Sequence, residues 1–254
     1  MGDRKILLGR TEIVVLDEAD RMLDMGFIPD IKQIFAALPA RRQSLLFSAT
    51  MSPVVTGLAG NILHQTCRIE IASSVSTDPQ IEQKVLFVDR DKKNALLVRL
   101  LAERGVSRVL VFTRTKHRAN NLSRQLARHR VTSDALHSDK TQAARMKALE
   151  RFHTGRIQVL VATDIAARGI DVNDIDHVIN YELPNEPGMY IHRIGRTARA
   201  GKQGTALSFC DASEIGYLRQ IERLLKKQLP VWKNQPFHSR SAAAVKPSTG
   251  KRLA

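Results

Sequence analysis

The sequence predicts an α/β fold built on parallel sheets, and three observations carry that prediction. Short apolar, β-branched runs alternate with helical patterns along most of the chain, as strands joined by helical crossovers do. Several of these runs end in acidic or hydroxyl residues, at the strand ends where open α/β sheets hold ligands. With 43% hydrophobic residues among 254, the chain has apolar material for a real core in one or two domains.

Taken in order, strand candidates run from Glu12 to Leu16, Ser44 to Phe47, Arg68 to Ile71, Lys84 to Val88, Arg108 to Thr113, Ser133 to His137, Gln158 to Thr163, His177 to Tyr181 and Thr205 to Cys210. Helices lie between them. Ile31, Ile34, Phe35 and Leu38 recur on one helical face, as do Leu96, Leu97, Leu100 and Leu101, and later Leu218, Ile221, Leu224 and Leu225; these stripes read as core. Between Ala72 and Gln83 the pattern stops in a polar stretch, Ser-Ser-Val-Ser-Thr-Asp-Pro-Gln-Ile-Glu, with the composition of a linker. The chain therefore divides into a front unit over 1–72 with three strands, a linker over 73–83, and a rear unit over 84–229 whose six strands make a complete small α/β domain. A basic tail over 230–254, opening with Pro230 and Pro236, is too poor in apolar residues to stay ordered.

Forty Lys and Arg against 25 Asp and Glu give a formal charge of +15, which favours polyanions: nucleic acid or an acidic membrane surface. From Arg223 onward there are eight Lys or Arg and no Asp or Glu, so part of the excess sits in the tail, where simple solvation is the bland alternative. Cys67 and Cys210 each lie in a strand-like run and read as two buried thiols, in keeping with a reducing cytoplasm. No histidine falls at a zinc spacing with a cysteine pair. No apolar run approaches a membrane span, the first residues have too short an apolar core for a signal peptide, and Ile6 stands where a myristoylation signal wants Ser or Thr.

Four blocks carry chemistry. Thr11 to Asp20 reads Thr-Glu-Ile-Val-Val-Leu-Asp-Glu-Ala-Asp, an apolar strand ending in adjacent carboxylates. In P-loop NTPases such a position holds Mg²⁺ and polarises the attacking water, although a solvated strand end has the same composition. Phe47 to Met51 reads Phe-Ser-Ala-Thr-Met, where Ser48 and Thr50 could also cap the next helix. Val161 to Val172 reads Val-Ala-Thr-Asp-Ile-Ala-Ala-Arg-Gly-Ile-Asp-Val, again at a strand end. Tyr190 to Gly201 holds His192 with three arginines in seven residues, and Arg196 and Arg199, three apart, are expected on one helical face where planar guanidiniums converge on phosphate oxygens.

These blocks, in this order and spacing, resemble the DEAD-box family of ATP-dependent RNA helicases. Asp17-Glu18-Ala19-Asp20 is the family's name, and Ser48-Ala49-Thr50, Val111 to Thr115, Gln142 with Arg145, Thr163 to Asp171 and His192 to Arg199 match its further motifs. Val109 to His117 and Leu224 to Lys227 look most like the bacterial RhlE-type branch. The resemblance implies a RecA-like helicase core: the second half of an N-terminal RecA-like domain over 1–72, then a whole C-terminal one. It implies ATP and Mg²⁺, with Asp17 holding the metal through water, Glu18 orienting or deprotonating the attacking water, and Asp20 with His192 tying nucleotide state to Ser48 and Thr50. Asp171 would meet the ribose, and Arg196 and Arg199 would act as arginine fingers on the γ-phosphate. Arg145, Thr163, Gln142 and Thr115 would hold the RNA backbone, so binding should be indifferent to sequence and strongly salt-dependent. A monomer is expected, with no membrane partner, and ribosomal or RNA-degradation complexes are the companions such helicases serve.

Some of the pattern is missing. No Gly-x-x-x-x-Gly-Lys-Ser/Thr occurs; Gly195 to Lys202 comes nearest, one residue too long and followed by Gln203. Ala198 stands where the family usually has Gly, and Ser138 where Gly is common. Two function classes follow: a helicase whose present chain hydrolyses ATP weakly because it lacks the phosphate cradle, or a non-enzymatic basic RNA-binding module. A relative working on DNA is a third, disfavoured by Asp-Glu-Ala-Asp with Ser-Ala-Thr. For the front unit, an apolar strand edge is expected to lie bare, leaving that part of the chain partly disordered or sticky while the rear domain folds independently.

Overall fold

The computed structural model describes residues 8–24, 26–70, 80–103, 106–166, 175–198 and 203–244. The chain forms two units, Met1–Ser74 and Val75–Ala254.

In the first unit, β1 (Ile13–Leu16) pairs in parallel with β2 (Gln43–Leu46), register Ile13 with Gln43 through Leu16 with Leu46. Between them run α1 (Ala19–Asp24) and α2 (Ile28–Ala36), and α3 (Pro53–Ile62) follows. α3 starts where its sequence says it should: Pro53 occupies the first turn and the Ser52 hydroxyl accepts from the Val55 N–H at 3.3 Å. Leu16, Ala19, Ile31, Val55, Leu58 and Ile62 form a small core under one face of the two strands. On β1 the alternate residues Ile13 and Val15 are 59% and 54% exposed, unusual for parallel strands, which are normally covered on both faces.

Three expectations for this unit are corrected. Arg68 to Glu70 form no strand, because no neighbouring strand among the described residues takes up their backbone groups; Ile69 is 84% exposed. The described front unit thus has two strands rather than three, and Cys67 is exposed rather than buried. Ile34, placed in the α2 core stripe, faces solvent while Ile31 is buried.

The second unit is a six-stranded, all-parallel sheet of order β3-β8-β7-β4-β6-β5. Its strands are β3 (Ile81–Phe87), β4 (Val109–Phe112), β5 (Ser133–Leu136), β6 (Val159–Ala162), β7 (His177–Asn180) and β8 (Gly204–Cys210). The helices are α4 (Lys93–Leu101), α5 (Lys116–Arg128), α6 (Gln142–His153), α7 (Pro187–Ile194), α8 (Ile215–Leu225) and α9 (Arg240–Ala243). Strand residues alternate between faces, so Val109, Val111, Val159 and Val161 pack with α4 and α5, while Leu110, Phe112, Leu160 and Val178 pack with α6. α7 and α8 cover β3 and β8 through Tyr190, Ile194, Leu218, Ile221 and Leu225. Being sandwiched on both faces explains why the inner strands β4 and β6 read as unbroken apolar runs, whereas the edge strands β3 and β5 carry polar residues such as Glu82 and Asp134.

Two boundaries differ from the sequence reading. β3 begins at Ile81, inside the stretch assigned to the linker, because Ile81 to Gln83 pair with Gly204 to Ala206. Residues 230–244, assigned to the disordered tail, pack against edge strand β3. Val85 N–H donates to Pro230 O (2.9 Å), Trp232 N–H to Val85 O (2.9 Å) and Ser239 N–H to Phe87 O (3.0 Å). Trp232 and Phe237 lie against the core, and Ala242 of α9 is buried. The composition of this strap is poor in apolar residues, yet a bare sheet edge offers it a row of ready hydrogen-bond partners.

Candidate functional site

In the first unit the acids stand at the carboxyl end of β1. Glu18 has φ +50°, a left-handed backbone that a non-glycine residue adopts at a cost of about 1–3 kcal/mol. Its N–H donates to Asp17 Oδ1 (2.8 Å), and its carboxylate accepts from Arg21 Nη1 (3.2 Å), a guanidinium that is itself buried. Asp20 is joined to the residues beyond β2: its Oδ2 accepts from both the N–H and the hydroxyl of Thr50 at 3.0 Å, and its own N–H donates to Ser48 Oγ at 3.2 Å. Ser48 in turn donates to Thr50 O at 2.7 Å. Ser48 and Thr50 therefore bind Asp20 rather than capping α3, the role taken by Ser52.

Asp17 and Glu18 supply oxygen donors only, the chemistry Mg²⁺ prefers, and each carboxylate keeps acceptor capacity beyond the contact described. Among the described residues no three His, Cys, Asp or Glu gather as a closed metal cage. That set fits an ion held largely through its own waters.

In the second unit the RNA-binding candidates stand at successive strand ends. Gln142, in the first turn of α6 after β5, is exposed, and Arg145 one turn on is half-buried. Thr163 follows β6 and is only 8% exposed. Thr115 follows β4; its hydroxyl caps α5 by accepting from the Arg118 N–H at 3.2 Å while its side chain stays exposed. In sheet order these ends are neighbours, β5, β6 and β4, so the fold gathers into one row residues spread over 49 positions of sequence, Thr115 to Thr163.

His192 lies in the last turn of α7. Arg196 follows the helix rather than lying on it: α7 ends at Ile194, Gly195 caps it, and Ala198 turns the chain with φ +58°. The expected shared helical face of Arg196 and Arg199 is thereby corrected for Arg196, because a residue in the left-handed region cannot extend a helix. Arg199 and Asp171 lie outside the described residues.

Sequence reasoning assigned no role to Arg193, which the fold makes central. It is 1% exposed and grips Asp164 in a fork, Nε to Oδ1 at 2.6 Å and Nη2 to Oδ2 at 2.8 Å. Its Nη1 donates to Asn180 Oδ1 (3.1 Å) and Glu182 O (2.7 Å), and its guanidinium sits 5.0 Å over the Phe112 ring. This side chain locks the loop holding Thr163 to the helix holding His192. The adjacency of Asp164 to Thr163 and of Arg193 to His192 was the available signal.

Behind the row lies a buried ionic cluster. Lys93 Nζ donates to Glu214 Oε2, to Tyr181 O (3.1 Å) and to Asp211 Oδ2 (3.1 Å). Glu214 also accepts from Arg114 Nη2 (3.0 Å) and from the Leu183 N–H (3.1 Å). Burial pushes the Asp211 carboxyl up, but hydrogen bonds from Ser213 and the Lys93 charge outweigh it and leave the group below the ordinary carboxylate value. The Tyr181 hydroxyl is pushed up to about 12 by burial.

Residues 2–57 match the DEAD/DEAH box helicase family model, and residues 92–201 match the model of the helicase conserved C-terminal domain. The chain is 45% identical to the ATP-dependent RNA helicase CshA of Listeria monocytogenes over 90% of its own length and 45% of that protein's. It is 36% identical to the E. coli DEAD-box protein SrmB in its crystal structure with the regulator of ribonuclease activity A, covering 66% of this chain and 98% of that one, TM-score 0.62. S. cerevisiae Dbp5 bound to RNA and ADP BeF3 is 30% identical, with 91% of this chain and 62% of that one covered, TM-score 0.82. The chain thus spans about half the length of the curated relatives it matches.

Proposed function

The chain belongs to the DEAD-box helicase family, and on that premise we propose that it couples ATP binding and hydrolysis to the unwinding of RNA duplexes or the remodelling of RNA–protein complexes. The observation that carries this reading is the joint hold of Asp20 on Ser48 and Thr50, which ties the acidic end of β1 to the end of β2. A two-point hold of this kind transmits a change at the acids to the Ser-Ala-Thr segment. Glu18 orients or deprotonates the attacking water, and Arg196 and Arg199 neutralise charge growing on the γ-phosphate. Asp171 meets the ribose, and His192 works with Asp20. Mg²⁺, when bound near Asp17, offsets phosphate charge. Gln142, Arg145, Thr163 and Thr115 hold the RNA backbone, and a net charge of +15 makes that binding steeply salt-dependent.

Because the sequence holds no Gly-x-x-x-x-Gly-Lys-Ser/Thr cradle, this chain by itself hydrolyses ATP weakly. The experiment compares RNA-stimulated ATP hydrolysis by the 254-residue chain with that of a chimera carrying the front half of Listeria CshA. The chimera is expected to be active and to lose activity on Glu18→Gln; an inactive, well-folded chimera refutes the catalytic roles. Strong hydrolysis by the chain alone refutes the weak-activity statement. The RhlE-type assignment rests on two short segments, and the CshA names of the relatives point to another branch. SrmB, a relative, is seen with a regulator of ribonuclease activity, which supports RNA-degradation complexes as companions.

A further inference from the structure

Beside the row of RNA-binding candidates the second unit holds a cavity of about 520 Å³, lined by Arg90, Asp91, Asn94, Arg118, Asn121, Leu122, Gln125 and Tyr181. Its place in the fold gives it meaning. The row steps along the carboxyl ends of β5, β6 and β4; the next strand is β7, and Tyr181 directly follows it. Adjacent strands lie about 4.8 Å apart, so Tyr181 stands one strand on from Thr115, while the rest of the lining comes from α5 and from α4 with the turn before it. Arg118 connects the two, since its N–H is the one that Thr115 Oγ1 caps.

The lining suits an unpaired nucleotide. Three carboxamides, Asn94, Asn121 and Gln125, carry donor and acceptor together, as the edges of bases require. Asn94 Oδ1 is buried and has no hydrogen-bond partner among the described residues, so an acceptor is held out of water without a donor. Arg118 is anchored through Nε to buried Glu182 at 3.3 Å, a contact that does not exhaust its five N–H donors. Arg90 is exposed at the rim. The volume falls within the range of about 300–1,000 Å³ of ligand sites.

We infer that this cavity is an additional RNA subsite: it takes a base of the single strand against Asn94, Asn121 and Gln125, with the flanking phosphates on Arg90 and Arg118. The inference rests on the RNA-binding reading above, and the test separates the two. Binding of a fluorescein-labelled, unstructured oligoribonucleotide of about twelve nucleotides is followed by anisotropy at several salt concentrations. Arg90→Ala with Asn121→Ala, both at exposed positions, is expected to weaken binding about ten-fold and to lower the slope against log salt by about 0.7. In ¹⁵N–¹H spectra the side-chain amides of Asn94 and Asn121 are expected to shift on adding this RNA. Arg145→Ala serves as the control on the proposed row. If Arg145→Ala weakens binding while the cavity variant matches wild type in affinity and slope, the subsite is overturned and the RNA reading survives. If neither variant alters binding, both fall. Amides that shift with a polyglutamate peptide but not with RNA would overturn the choice of ligand.

Discussion

Arg193→Met is expected to cost the second unit about 3 kcal/mol, a figure that follows from the contacts of this one side chain. A surface ion pair is worth about 0–1 kcal/mol, whereas removing one partner of a buried pair costs about 3–5 kcal/mol. Arg193 is 1% exposed and its partner's side chain 22%, so the stranded Asp164 carboxylate can regain some water; this puts the loss at the lower end. Asn180 Oδ1 and Glu182 O lose their donor as well. At about 2–4 °C per kcal/mol for a domain of this size, Tm should fall by about 6–12 °C. Arg193→Lys should recover little, because an ammonium cannot reproduce the fork that meets both Asp164 oxygens. Urea unfolding of the single variants and of Arg193→Met/Asp164→Asn gives the coupling energy, expected at about 1–3 kcal/mol. A loss below about 0.5 kcal/mol, the range of ordinary surface changes, would refute the account of Arg193 as the lock between the two motifs.

Other outcomes follow from the same physics. Asp211 has its folded pKa below the ordinary 3.8, so its stabilisation is complete above that value and is lost as pH falls through the depressed pKa; the stability gap between wild type and Asp211→Asn should therefore narrow below pH 3.8 in acid-titrated urea melts. Gly204→Ala would set a Cβ 2.3 Å from Thr197 Oγ1 and 2.7 Å from the Ala198 backbone nitrogen, so thermal melts should show a loss of about 1–3 kcal/mol or an insoluble protein. Truncation after Leu229 removes the strap from β3: at about 1 kcal/mol for each of three backbone bonds, stability should drop by about 3 kcal/mol, and light scattering should detect association through the bared edge. An unchanged Tm and a monomeric truncation product would show the strap to be dispensable.

Which parts of the molecule could be read in advance follows from the range of the forces involved. The inner strands β4 and β6 of the second unit were legible because each is buried on both faces and so appears as an apolar run whatever its neighbours are, while the edge strands β3 and β5 carry polar residues and showed less plainly. Clusters of acid, hydroxyl and guanidinium at strand ends were legible for the same reason: strand and ligand group are contiguous. β2, at Gln43–Leu46, was found to within a residue, but Arg68 to Glu70, the described part of another strand-like run, misled, because strand-like composition counts for nothing without a partner strand.

Local pattern thus decided the α/β class, the succession of elements and the residue types at the sites. Closure of the chain decided the rest: that Thr50 lies against Asp20 thirty residues away, that Arg193 reaches back twenty-nine to Asp164, and that residues 230–239 lie along β3. Periodicity is a property of neighbours along the chain, written in side-chain polarity. A hydrogen bond between distant segments depends on where two backbones come to rest, which only the packed sheet and its helices fix.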